Sequence, residues 1–245
     1  MPKAIVCKNS FEAIYSSNDF SVEIIDYDAP YIASTSYLQG FALARIKTVK
    51  SKLNDCNFVV MLGADCVLYD KIDDFLSTPG KIVLVPHVVT PPKNAAKFYM
   101  TGHANGDIVC FRRDSLEIIE WLLTQPMRRM PQRGMFFEQT LLSSLPFIFD
   151  DVAICKDVAI NYAYYNFHER TLKKKGDQFF VNGKPLAVCQ FSGYIDGQPD
   201  KISKYYKGPP PPDDVLQLFR QYEERIEAKM LYASEPPTCQ NFSCD

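Results

Sequence analysis

No apolar run in these 245 residues comes near the ~20 needed to cross a bilayer as a helix. No sign of charge dominates either. The formal net charge is −2 and the pI is close to 6.0, so neither nucleic acid nor an anionic membrane surface is an expected partner. There is no Gly-rich phosphate loop, no zinc-type CxxC pair and no internal repeat. The N-terminal stretch MPKAIVCKNSF has neither the apolar region nor the small-residue cleavage site of a secretory leader. The expectation is a cytoplasmic protein with no transmembrane segment.

What is present is a core. Apolar residues make up 47% of the chain, enough for one sizeable α/β domain or one domain and an appendage. Of the eight cysteines, Cys7, Cys110, Cys155 and Cys189 sit in apolar, strand-like runs and read as buried free thiols.

The apolar pattern alternates in type along the first ~85 residues. Ala4-Ile5-Val6-Cys7 and FSVEIID (20–26) read as buried strands. Leu38, Ala42, Ile46, Val49 and Leu53 recur at steps of three and four, predicting a helix over 34–54. Strands are expected at 58–62 and 81–85, with a short helix over 69–75 between them. Strand and helix in turn are the signature of a largely parallel sheet.

Further on, GDIVCFR (106–112) predicts a strand, and 114–124 a helix capped by Asp114 or Ser115. GMFFEQTLLSSL (134–145) predicts a helix stopping at Pro146. Short strands are expected at 152–155, 178–181 and 186–191, with Asn182-Gly183 as a two-residue hairpin turn. The tract Gly208-Pro209-Pro210-Pro211-Pro212 predicts a stiff spacer. Beyond it, Val215, Leu218, Phe219, Tyr222 and Ile226 form the apolar stripe of a C-terminal helix that packs on the domain or on a partner chain. The expected division is a domain over 1–207, spacer and helix over 208–233, and a flexible tail over 234–245.

Polar side chains collect where apolar segments end. In MLGADCVLY (61–69), Asp65 stands just past a strand tip, where α/β sheets bind ligands; a turn or helix-cap aspartate would look the same on this stretch alone. His103 and Asn105 lead into the GDIVCF strand. Glu138 and Gln139 interrupt an apolar helix. NYAYYNFHER (161–170) is dense in aromatics and polar groups. Gln190, Ser192 and Gly193 close CQFSGY, and Lys204 follows in SKYYK.

Six of these blocks carry a resemblance. MLGADC, HANGDI, GMFFEQ, NYAYYNFHER, FFVNGKPLAVCQFSGY and ISK stand in the order of a family pattern that reads YLDPDI, YNLGF, GLFVDQ, NVAYWNLHER, YxVNGxPLxFFHFSGF and LSK. From about Tyr27 to Tyr206 the chain resembles bacterial-type nucleotide-sugar glycosyltransferases with the GT-A fold. The resemblance implies an α/β, GT-A-like single domain, with a mixed, mostly parallel sheet flanked by helices and followed by the C-terminal helix. It also implies transfer of a sugar from a nucleoside diphosphate sugar donor to a hydroxyl on a glycan acceptor.

Such a reaction builds negative charge on a departing diphosphate, which a divalent metal or cationic side chains must stabilise. The family's Asp-x-Asp motif supplies oxygen ligands suited to Mn²⁺ or Mg²⁺. Here Gly63 replaces its first aspartate and Gln190 replaces the histidine of FHFSG, so the metal site is weakened. Either Asp65 still holds the ion, or Arg45 and Lys204 neutralise the phosphates instead. On the same resemblance, Glu138 is the base that activates the acceptor, or else binds sugar hydroxyls. Asn9, Arg45, Ala64, Asp65, Asn105, Gln190, Ser192, Gly193 and Lys204 line the donor. His103, Gln139 and Tyr165 lie toward the acceptor or the sugar. Asp107 replaces a family glycine and bears on sugar choice. The alternative is a degenerate, non-catalytic member that binds a sugar nucleotide or a glycan.

Overall fold

The computed structural model of the chain describes Lys8, Val22 and residues 10–15, 37–92, 96–127, 129–130 and 134–233. The expected strands at 4–7 and 20–26, Asn9 and the tail over 234–245 lie outside the described residues. Helix α1 spans Tyr37–Lys52, strand β1 Phe58–Leu62, β2 Cys66–Leu68, helix α2 Asp73–Ser77, β3 Ile82–Pro86, α3 Ala96–Thr101, β4 Ala104–Arg112 and α4 Leu116–Thr124. Then come β5 Arg129–Met130, β6 Met135–Phe136, α5 Phe137–Ile148, β7 Val152–Ile154, β8 Leu172–Lys175, β9 Gln178–Val181, β10 Lys184–Pro185, β11 Val188–Gln190 and α6 Asp213–Ala233.

The main sheet has the order β1-β4-β3-β7. It is mixed: β1, β3 and β7 run one way, and β4 runs against both of its neighbours. The strands expected at 58–62 and 81–85 are therefore not adjacent, because β4 is inserted between them. Alternation along the strands sorts side chains to two faces. Ile82, Leu84, Val109 and Phe111 pack under α1, α4 and α5 with Ala42, Ile46, Val49 and Leu53. Val83, Val85, Ile108 and Cys110 face the other way, against Leu68, Ile72, Phe75 and Val188. Both faces are covered, which explains why these strands read as continuous apolar runs. Cys66, Cys110, Cys155 and Cys189 are buried free thiols.

A third cluster forms where the stripe of α6 meets the β8–β9 hairpin and the loop after β11. Phe191 stacks on Tyr222 at 3.7 Å between ring centroids and meets Phe219 edge-on at 4.8 Å. The hairpin turn at Asn182-Gly183 has φ values of 50° and 88°, the left-handed pair that a two-residue turn of this kind requires.

Local chemistry moved several boundaries. GMFFEQTLL does not start as a helix: Met135 and Phe136 pair with β5, and α5 begins at Phe137. It also runs through Pro146. A proline here forgoes one N–H bond in the last turn, and Phe149 N still donates to Leu145 O at 2.9 Å. Ser115 precedes α4 without capping it, because its hydroxyl donates backward to Arg112 O at 2.6 Å. The short helix expected over 69–75 forms two to four residues later, as α2. The strand expected at 186–191 is shortened to the three residues of β11.

The NYAYYNFHER block is structural in large part. Arg170, buried, donates from Nη1 to Val158 O, Ile160 O and Asn161 O at 3.1, 2.6 and 2.9 Å. Asn166 Nδ2 donates to His87 O and Asn161 O at 3.0 and 2.7 Å. The Glu169 carboxylate accepts from Val89 N, Thr90 N and the Thr90 hydroxyl. Burial alone would raise the Glu169 pKa, but the Thr90 and Val89 donors and then Arg170 outweigh it and hold the pKa below its usual value.

A folded-state pKa below the unfolded one means that Glu169 stabilises the fold above the unfolded value of ~4.3 and that this contribution is lost as pH falls through the lower folded value. Thermal melts of the parent and Glu169→Gln should therefore differ at neutral pH and converge in acid below ~4.3. Truncating the α6 stripe by Phe219→Ala is expected to cost about 3–5 kcal/mol in urea unfolding.

Candidate active site

Three elements bring their polar side chains together at one end of the main sheet. Arg45 comes from the inner face of α1, one turn from Ala42 and next to Ile46. Asp107 comes from β4. Glu138 comes from the first turn of α5, where Phe137 at φ 48° makes the sharp entry that aims the next side chain inward. A non-glycine residue held in that region stores strain of the sort that gathers at functional sites.

Arg45 Nη1 lies 2.9 Å from Asp107 Oδ1 and 3.1 Å from Glu138 Oε1, and Nη2 donates to Gly106 O at 2.7 Å. Arg45 and Glu138 are each only 6% exposed, whereas the Asp107 side chain keeps 31% of its surface. Burial raises the Glu138 pKa; Arg45 pulls it down without cancelling the rise, and Asp107 adds to the rise. Burial would depress the Arg45 pKa, but Asp107 and Glu138 together raise it. A cavity of ≈ 120 Å³ opens here, lined by Ala42, Arg45, Asp107, Phe136, Glu138 and Gln139, among others.

A second polar group adjoins the first. Gln190 on β11 is the register partner of Cys66 on β2, which sets it beside Asp65. Its amide Nε2 donates to Asp107 Oδ2 at 2.6 Å and reaches Asp65 Oδ1 at 3.5 Å. Its Oε1 faces away, accepting from Asn105 Nδ2 at 2.9 Å and from the Tyr165 hydroxyl at 2.8 Å. Asn161, at φ 66°, completes the network: its Oδ1 is 2.8 Å from Asn105 Nδ2 and 2.6 Å from the Tyr165 hydroxyl. The orientation of Gln190 follows, since both donors claim its carbonyl and leave its N–H groups for the two carboxylates.

The residues expected from the sequence fall into distinct places. Glu138, Gln139 and Arg45 line the cavity. Arg45, however, faces two carboxylates, while the sequence reading puts it at the diphosphate. Asp65 and Gln190 meet at its edge. Asn105 and Tyr165 turn their polar atoms to the network around Gln190. Gln139 ties Gly106 N and Thr101 O together. His103 is exposed, and its carbonyl accepts from His87 N at 2.9 Å. Ala64 is exposed at the turn after β1. Gly193, at φ 71°, and Ser192 begin a loop held by Lys204 N donating to Gly193 O at 2.9 Å and Ser203 Oγ donating to Ser192 O at 2.8 Å. Lys204 is exposed, its ammonium 5.0 Å from the Tyr205 ring.

The residue that the sequence reading undervalued is Asp107, placed there only as a modifier of sugar choice. The signal was available. Asn105 and Asp107 are two apart on one strand and share a face, so the face of Asn105 was also that of Asp107.

Among the described residues no three His, Cys, Asp or Glu side chains form a ready cage for a metal. Asp65 and Asp107 both face the Gln190 amide, and their oxygens are of the hard type that Mg²⁺ and Mn²⁺ take. Among the described residues, no helix is long and apolar enough to cross a membrane.

A scan against protein-family models finds no match, and comparison with curated proteins by sequence finds none. Solved structures do match. A glycosyltransferase involved in the glycosylation of the major capsid of PBCV-1 superposes with a TM-score of 0.51 at 12% identity, over 77% of this chain and 86% of that one. The galactosyltransferase LgtC, in complex with donor and acceptor sugar analogs, gives 0.45 at 14% identity over 77% and 67%. At such identity the likeness is one of fold, and the fold is the GT-A-like α/β arrangement of glycosyltransferases.

Arg45→Met should cost about 3–5 kcal/mol in denaturant unfolding, because it strands two carboxylates, one of them buried. Adding Glu138→Gln to that variant should recover part of the loss, a non-additivity that a double-mutant cycle reads directly.

Proposed function

We propose that this chain is a nucleotide-sugar-dependent glycosyltransferase that moves a sugar from a nucleoside diphosphate sugar to a hydroxyl of a glycan acceptor. The observation that carries the reading is Glu138: a buried carboxylate with a raised pKa, aimed by a strained turn into a cavity in a GT-A-like fold. Burial among Phe136, Phe137 and Leu142 makes it a better proton acceptor than an exposed glutamate. Arg45 opposes full neutralisation of Glu138 and fixes its direction. In this assignment Glu138 takes the proton of the acceptor hydroxyl, and Gln139 and the aromatic wall orient the sugar.

Asp65 stands at the diphosphate end. A divalent ion held there would supply charge stabilisation for the leaving diphosphate. Lys204 and the Ser192–Gly193 loop flank the same end and supply a cation and backbone donors. The cavity, at ≈ 120 Å³, is below the ~300–1,000 Å³ of most small-molecule sites, so the described residues fit the sugar end of the donor and not a whole sugar nucleotide.

One observation favours a second reading, a non-catalytic binder: Gly63 and Gln190 remove two ligands from the family's metal site. A thermal-shift panel of UDP, GDP and dTDP and their sugars, each with Mn²⁺ or EDTA, tests binding, since a ligand of the native state raises the midpoint with affinity and concentration. Donor turnover then separates the two readings. For a transferase, Glu138→Gln should lower turnover by about 10²–10⁴-fold with donor binding kept. The parent rate should rise with pH through the Glu138 pKa, above the ordinary carboxylate range. Binding without turnover would support the binder, and no midpoint shift with any sugar nucleotide would sink the transferase reading and leave only a domain that binds a glycan.

A further inference from the structure

Strand β7 ends the main sheet on one side. It pairs with β3 in parallel register, Val152 beside Ile82 and Ile154 beside Leu84, and among the described residues no strand pairs with its outer edge. Cys155 N donates to Leu84 O at 2.8 Å, and Asp151 O accepts from Lys81 N at 2.7 Å. Backbone groups alternate in direction along a strand. Ala153 therefore faces β3 as well, and Val152 and Ile154 turn their N–H and C=O groups outward. Open edges are normally guarded by a charge, a proline or a bulge, and Val152-Ala153-Ile154 supplies none of these.

The flank of this edge is apolar. Val152 packs on the α5 face of the sheet, and Ile154, two residues on, takes the same face. Ile154 is 45% exposed; at the end of α5, which packs on β7, Phe147 is 89% and Ile148 51% exposed. Large apolar side chains thus border a row of outward backbone groups, the combination that marks an interaction surface.

Charge indicates the partner. Asp150 stands before the strand and Lys156 after it, both exposed, and among the described residues neither enters an ion pair. The acids beside them are already paired, Asp151 with Lys81 at 2.9 Å and Asp157 with Lys184 at 3.1 Å. An antiparallel neighbour centred on Ala153 would set Val152 opposite Ile154 and bring the Asp150 end of one chain to the Lys156 end of the other. A second copy of this chain meets that requirement twice over, since 150 and 156 lie equally far from 153 and a two-fold axis through Ala153 makes both contacts at once.

We infer that β7 is the interface of a homodimer in which two copies pair antiparallel about Ala153, continue the mixed sheet across a two-fold axis and cover Phe147, Ile148 and Ile154. The pairing closes at two copies, because it uses the same edge of each. Glu138 opens α5 and Phe147 stands near its other end, ~14 Å away at ~1.5 Å per residue, so the dimer leaves the cavity open. The inference does not depend on the transferase reading.

Light scattering behind size exclusion tests it on the full chain. A small interface binds weakly, so loading spans dilution to about 100 μM. The mass should rise from 27.9 kDa toward twice that value and stop. Ile154→Lys should raise the dissociation constant about 10-fold or more. Asp150→Lys and Lys156→Asp should each raise it about fivefold by setting like charges together, and the two combined should return it to within about twofold of the parent. Amide exchange reads the backbone pairing: the Val152 N–H should exchange about 10-fold more slowly at dimer-forming concentration than at dilution.

A monomer at every concentration, a dimer that Ile154→Lys and the single charge reversals leave intact, or a Val152 amide that exchanges alike in both states would each overturn the inference. So would a mass that grows past two copies, the behaviour of an unguarded edge that aggregates. If Ile154→Lys does not fold, the charge exchange decides the matter.

Discussion

The site depends on one guanidinium. Arg45 reaches from α1 to Asp107 on β4, to Glu138 on α5 and to the carbonyl of Gly106, so it ties together two helices and a strand that the chain brings in from three separate segments. Its charge is almost wholly removed from water, and such a group is tolerable only when several well-placed acceptors surround it. Shared between two carboxylates, it satisfies neither alone. Burial therefore keeps the Glu138 pKa above its ordinary value, because the shared guanidinium lowers it only in part while still aiming it. A full, private ion pair would have made Glu138 a permanent anion and a poor base.

A neutral network does for Gln190 what the guanidinium does for Glu138. Asn105 donates to the side-chain carbonyls of Gln190 and Asn161, and the single hydroxyl proton of Tyr165 is shared between the same two oxygens. Networks of this kind fix a single orientation when every member is satisfied. Here the orientation turns the amide N–H groups toward Asp65 and Asp107. The support runs further out. Phe191, the next residue, donates its N–H to Asp65 O and stacks on Tyr222 of α6. The C-terminal helix thus steadies the strand end that carries Gln190.

Much of this was legible beforehand where periodicity speaks. The helix of α1, the strands β1, β3 and β4, the hairpin turn at Asn182-Gly183 and the stripe of α6 each follow from spacing or from turn chemistry. Glu138 was legible as an acid in an apolar helix, and NYAYYNFHER as a dense polar block. Boundaries near Pro146 and Met135 were not, because a proline in the last turn and a two-residue strand pairing are decided by neighbours distant in sequence. The insertion of β4 between β1 and β3 was not legible either, since strand order leaves no periodicity.

The sequence by itself singled out polar residues at the ends of apolar segments: Asp65 past a strand tip, Glu138 and Gln139 in an apolar helix, Asn105 leading into a strand. It determined the α/β class as well, through apolar runs that both faces of a sheet bury. Only the tertiary structure decided who faces whom. It placed Arg45 between two carboxylates. It made Asn105 and Tyr165 supports for Gln190. It set Gly63 against Asp107, whose side chain leaves no room for a Cβ at position 63. The physical reason is that spacing along a chain specifies which face a side chain takes, whereas the partner it meets there is set by how the elements pack.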